Sequence, residues 1–251
     1  MIRLAAILFP MLLSVSETTL YYRGPDNADP QDYARAAQAF GARCKSYGYK
    51  GIQTSVVDRE GRKVVQVVCD TGITVDMKKT LNCFAELSGS AVELRFPLVL
   101  SDVEKEQFQA KPSACDDTAP AGARWFRFRK NEDPPVLLRD APLVTRNEMQ
   151  LRTTREKEKS GATRVYWEIS TFQTREIREA DKKAKFGTPV LVLDGWAVEA
   201  VPLITLEKND EGKVVPAQKM AFSPTSAVVL EALANPMPFP LQAEETIAEG
   251  K

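Results

Sequence analysis

The sequence predicts an α+β fold: two small units, each an antiparallel or mixed sheet with helices packed on one face. Three observations carry this. Tyr33, Ala37, Phe40, Cys44 and Tyr47 recur at spacings of four, three, four and three, which is one apolar face of a helix. Two β-rich runs follow, Ile52 to Val57 and Lys63 to Cys69, with the turn sequence Asp58-Arg59-Glu60-Gly61 between them. Further along, Val190 to Leu193 and Ala197 to Ile204 flank Asp194-Gly195, a common hairpin-turn dipeptide, and a short Ala- and Leu-rich helix follows.

The elements divide the chain as follows. Residues 1–16 read as a signal peptide: Arg3, an apolar run from Leu4 to Leu13, then Ser14 and Ser16, with cleavage after Ser16. That run is too short for a transmembrane helix, which needs roughly 20 residues, and Pro10 interrupts it. No other stretch is long and apolar enough to span a bilayer. Residues 17–32 read as a linker, polar and carrying Gly24, Pro25 and Pro30 from Arg23 onward. Residues 33–100 form the first unit. Asp29-Pro30 starts its first helix and Gly48 stops it. Thr74-Val75-Asp76 starts a second helix with Met77, Leu81, Phe84 and Leu87 toward the core. Ser88-Gly89-Ser90 ends that helix, and a strand follows from Ala91 to Leu100, interrupted by Pro97.

Residues 101–135 are a loop-rich connection with one strand, Arg124 to Arg129, whose Phe126 and Phe128 face inward and whose arginines face outward. Residues 136–241 form the second unit. It adds a strand at Val165 to Ile169, a charged helix from Thr171 to Lys185, a strand at Val214 to Phe222 and a helix capped at Ser223-Pro224-Thr225. Pro236, Pro238 and Pro240 hold the chain extended before an acidic, frayed tail at residues 242–251.

Composition narrows the chemistry. Lys plus Arg equals Asp plus Glu at 34 each, so bulk electrostatics draws the chain neither to nucleic acid nor to anionic lipid. There is no histidine, which removes Ser-His-Asp and Cys-His catalysis and the commonest zinc ligand. No phosphate-binding loop, dinucleotide fingerprint, EF-hand or nucleophile elbow is present. The expectation is a protein that is not an enzyme and needs no cofactor or metal. Cys44, Cys69, Cys83 and Cys115 contain no CxxC pair, and an exported chain can oxidise them in any of three pairings or leave them as packed thiols.

Candidate partner-binding residues are aromatic or basic. Trp196 follows the Asp194-Gly195 turn, where it is either exposed for binding or packed on the neighbouring strand; packing is favoured. Phe239 in the closing extended segment and Trp125 and Arg127 in the 124–129 strand complete the set. Asp194 and Gly195 read as structural: Asp at a tight turn bonds nearby backbone, and Gly takes positive φ.

The order of these segments resembles the first periplasmic domain, base plus head, of the protein-export factor SecD. The head is echoed by Val192-Leu193-Asp194-Gly195, by Ala200-Val201-Pro202, and by the close Asn235-Pro236-Met237-Pro238-Phe239-Pro240-Leu241. The base is echoed by Arg43-Cys44-Lys45-Ser46-Tyr47-Gly48-Tyr49, Val64 to Val68, and Ser88 to Phe96. The match spans roughly residues 33 to 241, with 101–135 unmatched. Asn235, Pro236 and Met237 replace the family's glycine and alanine before the last prolines. SecD carries transmembrane helices after this domain and none is expected from this sequence, so the resemblance is expected to carry the fold and not the motor function. The resemblance implies an extracytoplasmic, periplasmic-type binding protein whose partners are translocase components or translocating polypeptide. Its alternative is a structural or assembly subunit of an envelope complex.

Overall fold

The computed structural model describes residues 18–108, 119–129, 134–157, 163–169, 188–205, 220–222 and 224–244. The leader, Cys115, and the charged helix expected at Thr171 to Lys185 lie outside these residues. In chain order the elements are β1 (Thr18–Arg23), α1 (Pro30–Tyr47), β2 (Ile52–Arg59), β3 (Arg62–Cys69), α2 (Val75–Glu86), β4 (Val92–Arg95) and α3 (Asp102–Gln107). There follow β5 (Ala123–Phe126), β6 (Val136–Arg139), β7 (Val144–Thr145), β8 (Met149–Lys157) and β9 (Thr163–Ile169). The chain closes with β10 (Val190–Leu193), β11 (Trp196–Ala200), β12 (Ile204–Thr205), β13 (Met220–Phe222), α4 (Ala227–Ala234) and β14 (Gln242–Ala243). The fold is α+β, with antiparallel sheets. No helix among the described residues is long and apolar enough to cross a membrane.

The first sheet runs β14-β1-β3-β2. Its hairpin pairs Ile52 with Cys69 through to Arg59 with Arg62 and turns on Glu60-Gly61. Leu20, Tyr22, Val65 and Val67 share one face, which α1 and α2 cover through Tyr33, Phe40, Leu81 and Phe84. Both helices start as their sequences dictate. Asp29 accepts from the Gln31 amide with Pro30 behind it, and Thr74 accepts from the Met77 amide. Gly48, at φ 101°, ends α1 in the left-handed region.

Four boundaries differ from the sequence reading. The 17–32 segment is more than a linker: Thr18 to Tyr22 alternates half-buried and buried side chains and sits inside the first sheet. The strand after α2 shortens to Val92–Arg95 and joins β10 and β7, not the neighbouring β2–β3 hairpin. The 101–135 connection holds α3, capped by the Ser101–Glu104 box, as well as β5. The tail beyond 241 begins with β14, which pairs Gln242 and Ala243 with Arg23 and Tyr22.

The second sheet runs β11-β10-β4-β7, a third runs β12-β13-β9-β8, and β5 pairs with β6. Leu94, Leu191, Leu193, Trp167 and Phe222 pack together with Val229, Ala232 and Leu233 of α4. Helix α4 lies at the junction, because Val228 packs against this cluster and against the first core. The extended close also crosses over: the Met237 amide donates to Ser88 O and the Leu241 amide to Ala85 O, while Met237, Phe239 and Leu241 fill the first core.

Candidate polypeptide-binding edge

The hairpin β10–β11 turns on Asp194 and Gly195, with φ of 50° and 85°. Two successive positive φ values are what a two-residue type I′ turn requires. The Asp194 carboxylate does more than close its own turn. It accepts from Ser88 Oγ at 2.6 Å, from the Gly89 amide at 3.0 Å and from the Ala91 amide at 3.3 Å. The hairpin tip is thus latched to the loop that leaves α2.

That loop is held from behind by Arg43 of α1, which has no exposed surface. Its guanidinium donates to the carbonyls of Phe84, Leu87, Ser88 and Asn235 at 2.5–2.8 Å. These are carbonyls that the ends of α2 and α4 leave without intrahelical partners. Burial pushes the Arg43 guanidinium down to about 10, and the field of Asp194 acts in the opposite direction. Arg146 adds a bond to Gly89 O at 2.9 Å and lies over the Trp167 ring.

On the far side of the turn, β11 is an edge strand of its sheet. Among the described residues one rung of its open side is occupied: Phe128 pairs in parallel with Ala197. The Ala197 amide donates to Arg127 O at 3.0 Å, and the Arg129 amide donates to Ala197 O at 3.1 Å. Phe128 packs on the cluster of Phe126, Leu138, Val190, Val192 and Ala197. Arg129 forms an ion pair with Glu86 of α2.

Beyond this rung a groove of about 480 Å³ opens beside Val198 and Glu199. Phe128 and Arg129 wall one side, Cys83 and Glu86 of α2 another, and Thr225, Ser226 and Val229 at the start of α4 a third. The Glu199 carboxylate accepts from the Thr225 amide and hydroxyl, which fixes the entry to α4. Phe128, Val198 and Val229 supply apolar wall, and Glu86, Arg129 and Glu199 supply charged groups beside it. Among the described residues no three His, Cys, Asp or Glu side chains come together as a metal site.

The structure distributes the candidate residues unequally. Trp196 is 44% exposed at the start of β11, so the favoured packed reading does not hold for it. Arg127 is exposed, and its carbonyl is tied to β11 beside Trp196. Trp125 is half-buried opposite Leu137. Phe239 is 8% exposed and stacks edge-on to Tyr33, so it belongs to the core and offers no surface to a partner. Cys44, Cys69 and Cys83 are free thiols, so no disulfide joins these three. Burial pushes the Cys44 thiol up to about 12. Arg129 belongs to the 124–129 strand that the sequence singles out, whereas Glu86 and Glu199 carry no local signal because their partners lie 43 and 26 residues away. Arg43 did carry a signal: it interrupts the apolar stripe of α1 three residues after Phe40.

No family model matches the sequence, and no curated protein matches it. Among solved structures, the chain is similar to SecDF in a super-membrane-facing form, at 13% identity and a TM-score of 0.45, over 91% of this chain and 29% of that one. It is similar to a structure of the membrane component SecDF that enhances protein export, at 14% identity and a TM-score of 0.43, over 92% of this chain and 98% of that one. It is also similar to translocon-associated SecDF from Thermus thermophilus, at 14% identity and a TM-score of 0.30, over 90% of this chain and 30% of that one. The chain thus spans well under half the length of the first and third of these.

Proposed function

We propose that this protein is a non-catalytic module that binds extended or unfolded polypeptide outside the cytoplasm. The observation that supports this most directly is the open side of β11. It already accepts one rung of parallel strand at Ala197 and then runs along a groove walled by Phe128, Val198 and Val229. An incoming segment adds backbone hydrogen bonds to such an edge, and side-chain pockets sort what is added. Trp196, exposed at the end of the same strand, supplies an amphipathic anchor. The setting of protein export, with translocase components or translocating chains as partners, is what the Leu193-Asp194-Gly195 and closing-proline motifs imply through their resemblance to the SecD head.

Cys83 lines the groove and is a half-buried free thiol, so it reports on occupancy. The test uses the full chain under reducing conditions with Cys115→Ser, leaving Cys83 as the accessible thiol. A permanently unfolded, carboxymethylated test protein should slow alkylation of Cys83 about tenfold at saturation. The same test protein in its folded form should not. Unchanged labelling would remove the polypeptide-binding reading. Equal protection by one folded envelope partner, in a fixed ratio, would favour an assembly role instead.

A further inference from the structure

We propose that residues 127–129 are a resident stand-in for the ligand, and that the edge selects an extended segment carrying a large apolar residue followed by a basic one. This rests on the reading that β11 takes an extended polypeptide. The resident segment, Arg127-Phe128-Arg129, shows what the edge accepts, because it is bound as a ligand strand would be. It runs parallel to β11 and exchanges two backbone hydrogen bonds with one residue, Ala197. Its middle side chain enters an apolar slot made by Phe126, Leu138, Val190 and Val192. Its last side chain meets the carboxylate of Glu86.

The slot is built by β5, β6 and β10, from two sheets, and the carboxylate comes from α2, so together they define a two-residue recognition pattern. The apolar slot rewards a large side chain through burial. Glu86 rewards a cation and repels an anion, a discrimination that backbone pairing alone does not provide. Successive strand residues face opposite ways, which fixes the order: when one residue fills the slot, the next meets Glu86.

The resident strand is also lightly held. Its described pairing with β11 is one rung long, and its ion pair is partly exposed, with the Arg129 side chain at 22% and the Glu86 side chain at 57%. A longer segment would reproduce both bonds to Ala197 and continue along Val198–Ala200 beside the groove. The exchange replaces like contacts with like, plus extra rungs. The apparent affinity for an added segment then scales with the fraction of time the resident strand is released, so releasing that strand tightens binding.

The experiment uses a fluorescent peptide with the chain's own residues 123–129, Ala-Arg-Trp-Phe-Arg-Phe-Arg, and two altered peptides. One has serine in place of the final phenylalanine; the other has glutamate in place of the final arginine. Each is titrated by anisotropy against the full chain, against Arg129→Glu, and against the milder Arg129→Gln. The expected result is binding about tenfold tighter to Arg129→Glu and about threefold tighter to Arg129→Gln than to the unaltered chain. Both altered peptides should lose about tenfold on every protein, and hydrogen exchange at the Arg129 amide should rise when the parent peptide binds. Equal affinity for all three proteins, or equal binding of all three peptides, overturns the stand-in. If unfolded protein still protects Cys83 in that case, the polypeptide-binding function survives without it. If no peptide and no unfolded chain binds, both fall together.

Discussion

Two hairpins in this molecule turn on the same backbone geometry. Glu60-Gly61 joins β2 to β3 with φ of 54° and 74°; Asp194-Gly195 joins β10 to β11 with φ of 50° and 85°. Both put a non-glycine residue in the left-handed region and a glycine after it, as a type I′ turn demands. They differ in what the first side chain reaches. Glu60 is exposed and, among the described residues, closes only its own hairpin. Asp194 carries three hydrogen bonds to residues more than 100 positions earlier, and so ties the second sheet to the end of α2. A local turn signal therefore says where the chain reverses and nothing about whether the reversal is also a fastening. The hairpin that carries the candidate binding edge is the fastened one, which holds β11 in place relative to the α2 wall of the groove.

The largest effect should come from the receiving side of the latch. Gly89 has φ of 70°, and a Cβ there would stand 2.1 Å from the backbone carbonyl of Ala232. That carbonyl belongs to α4 and cannot rotate away as a side chain would. Gly89→Ala combines a left-handed backbone penalty of roughly 1–2 kcal/mol with a steric clash against a helix. The expected destabilisation is about 3 kcal/mol or more, measured by urea unfolding. A loss under about 1 kcal/mol would mean the loop moves freely and the latch holds little.

Asp194→Ala should cost about 2–3 kcal/mol, because it removes the acceptor of Ser88 and of two amides and leaves Ala in a left-handed conformation. Asp194→Asn separates the two contributions. Asn suits the turn as well as Asp does and keeps one oxygen acceptor, but it gives up the charge that faces Arg43 and Arg146. A loss of about 1–2 kcal/mol is expected from Asn, again by urea unfolding. If Asn were neutral while Ala were costly, the turn alone would explain the residue and the comparison between the hairpins would collapse.

The same contrast shows what was legible in the sequence. Period and punctuation located α1, α2, both hairpins and the two turns, because each depends on residues close in the chain. The extended close was legible too, since three prolines allow little else. What escaped depends on pairing across distance. β1 opens the 17–32 stretch that reads as a linker, because Thr18 to Tyr22 becomes a strand only when β3 and β14 flank it. The strand after α2 reads as part of the 33–100 unit, but Val92 to Arg95 fits either hairpin by pattern, and its partners lie at Val144, Thr145 and Val190 to Leu193. The candidate site was half visible. Trp196, Asp194 and Arg127 stood out as residue types, whereas Phe239 matched them in type and turned out to seal the core against Tyr33 and Gly24. Exposure is a property of the assembled layers, and an aromatic among prolines carries no local sign of which way it will face.

The smallest effect is the sharpest control on the two turns. Glu60 pays the left-handed backbone penalty and, among the described residues, receives no hydrogen bond or ion pair in return. Asn tolerates that conformation because its short amide bonds locally to the backbone, and Asn-Gly is the preferred pair for this turn. Glu60→Asn should therefore stabilise the protein by about 0.5 kcal/mol, raising Tm by roughly 1–2 °C for a chain of this size. The gain should be insensitive to salt, because no ion pair is broken. Placed beside Asp194→Asn, the substitution of one amide side chain at two matching turns should act with opposite signs. If both positions responded alike, the Asp194 carboxylate would be a turn residue like any other, and the node around Ser88 would owe its shape to Arg43 alone.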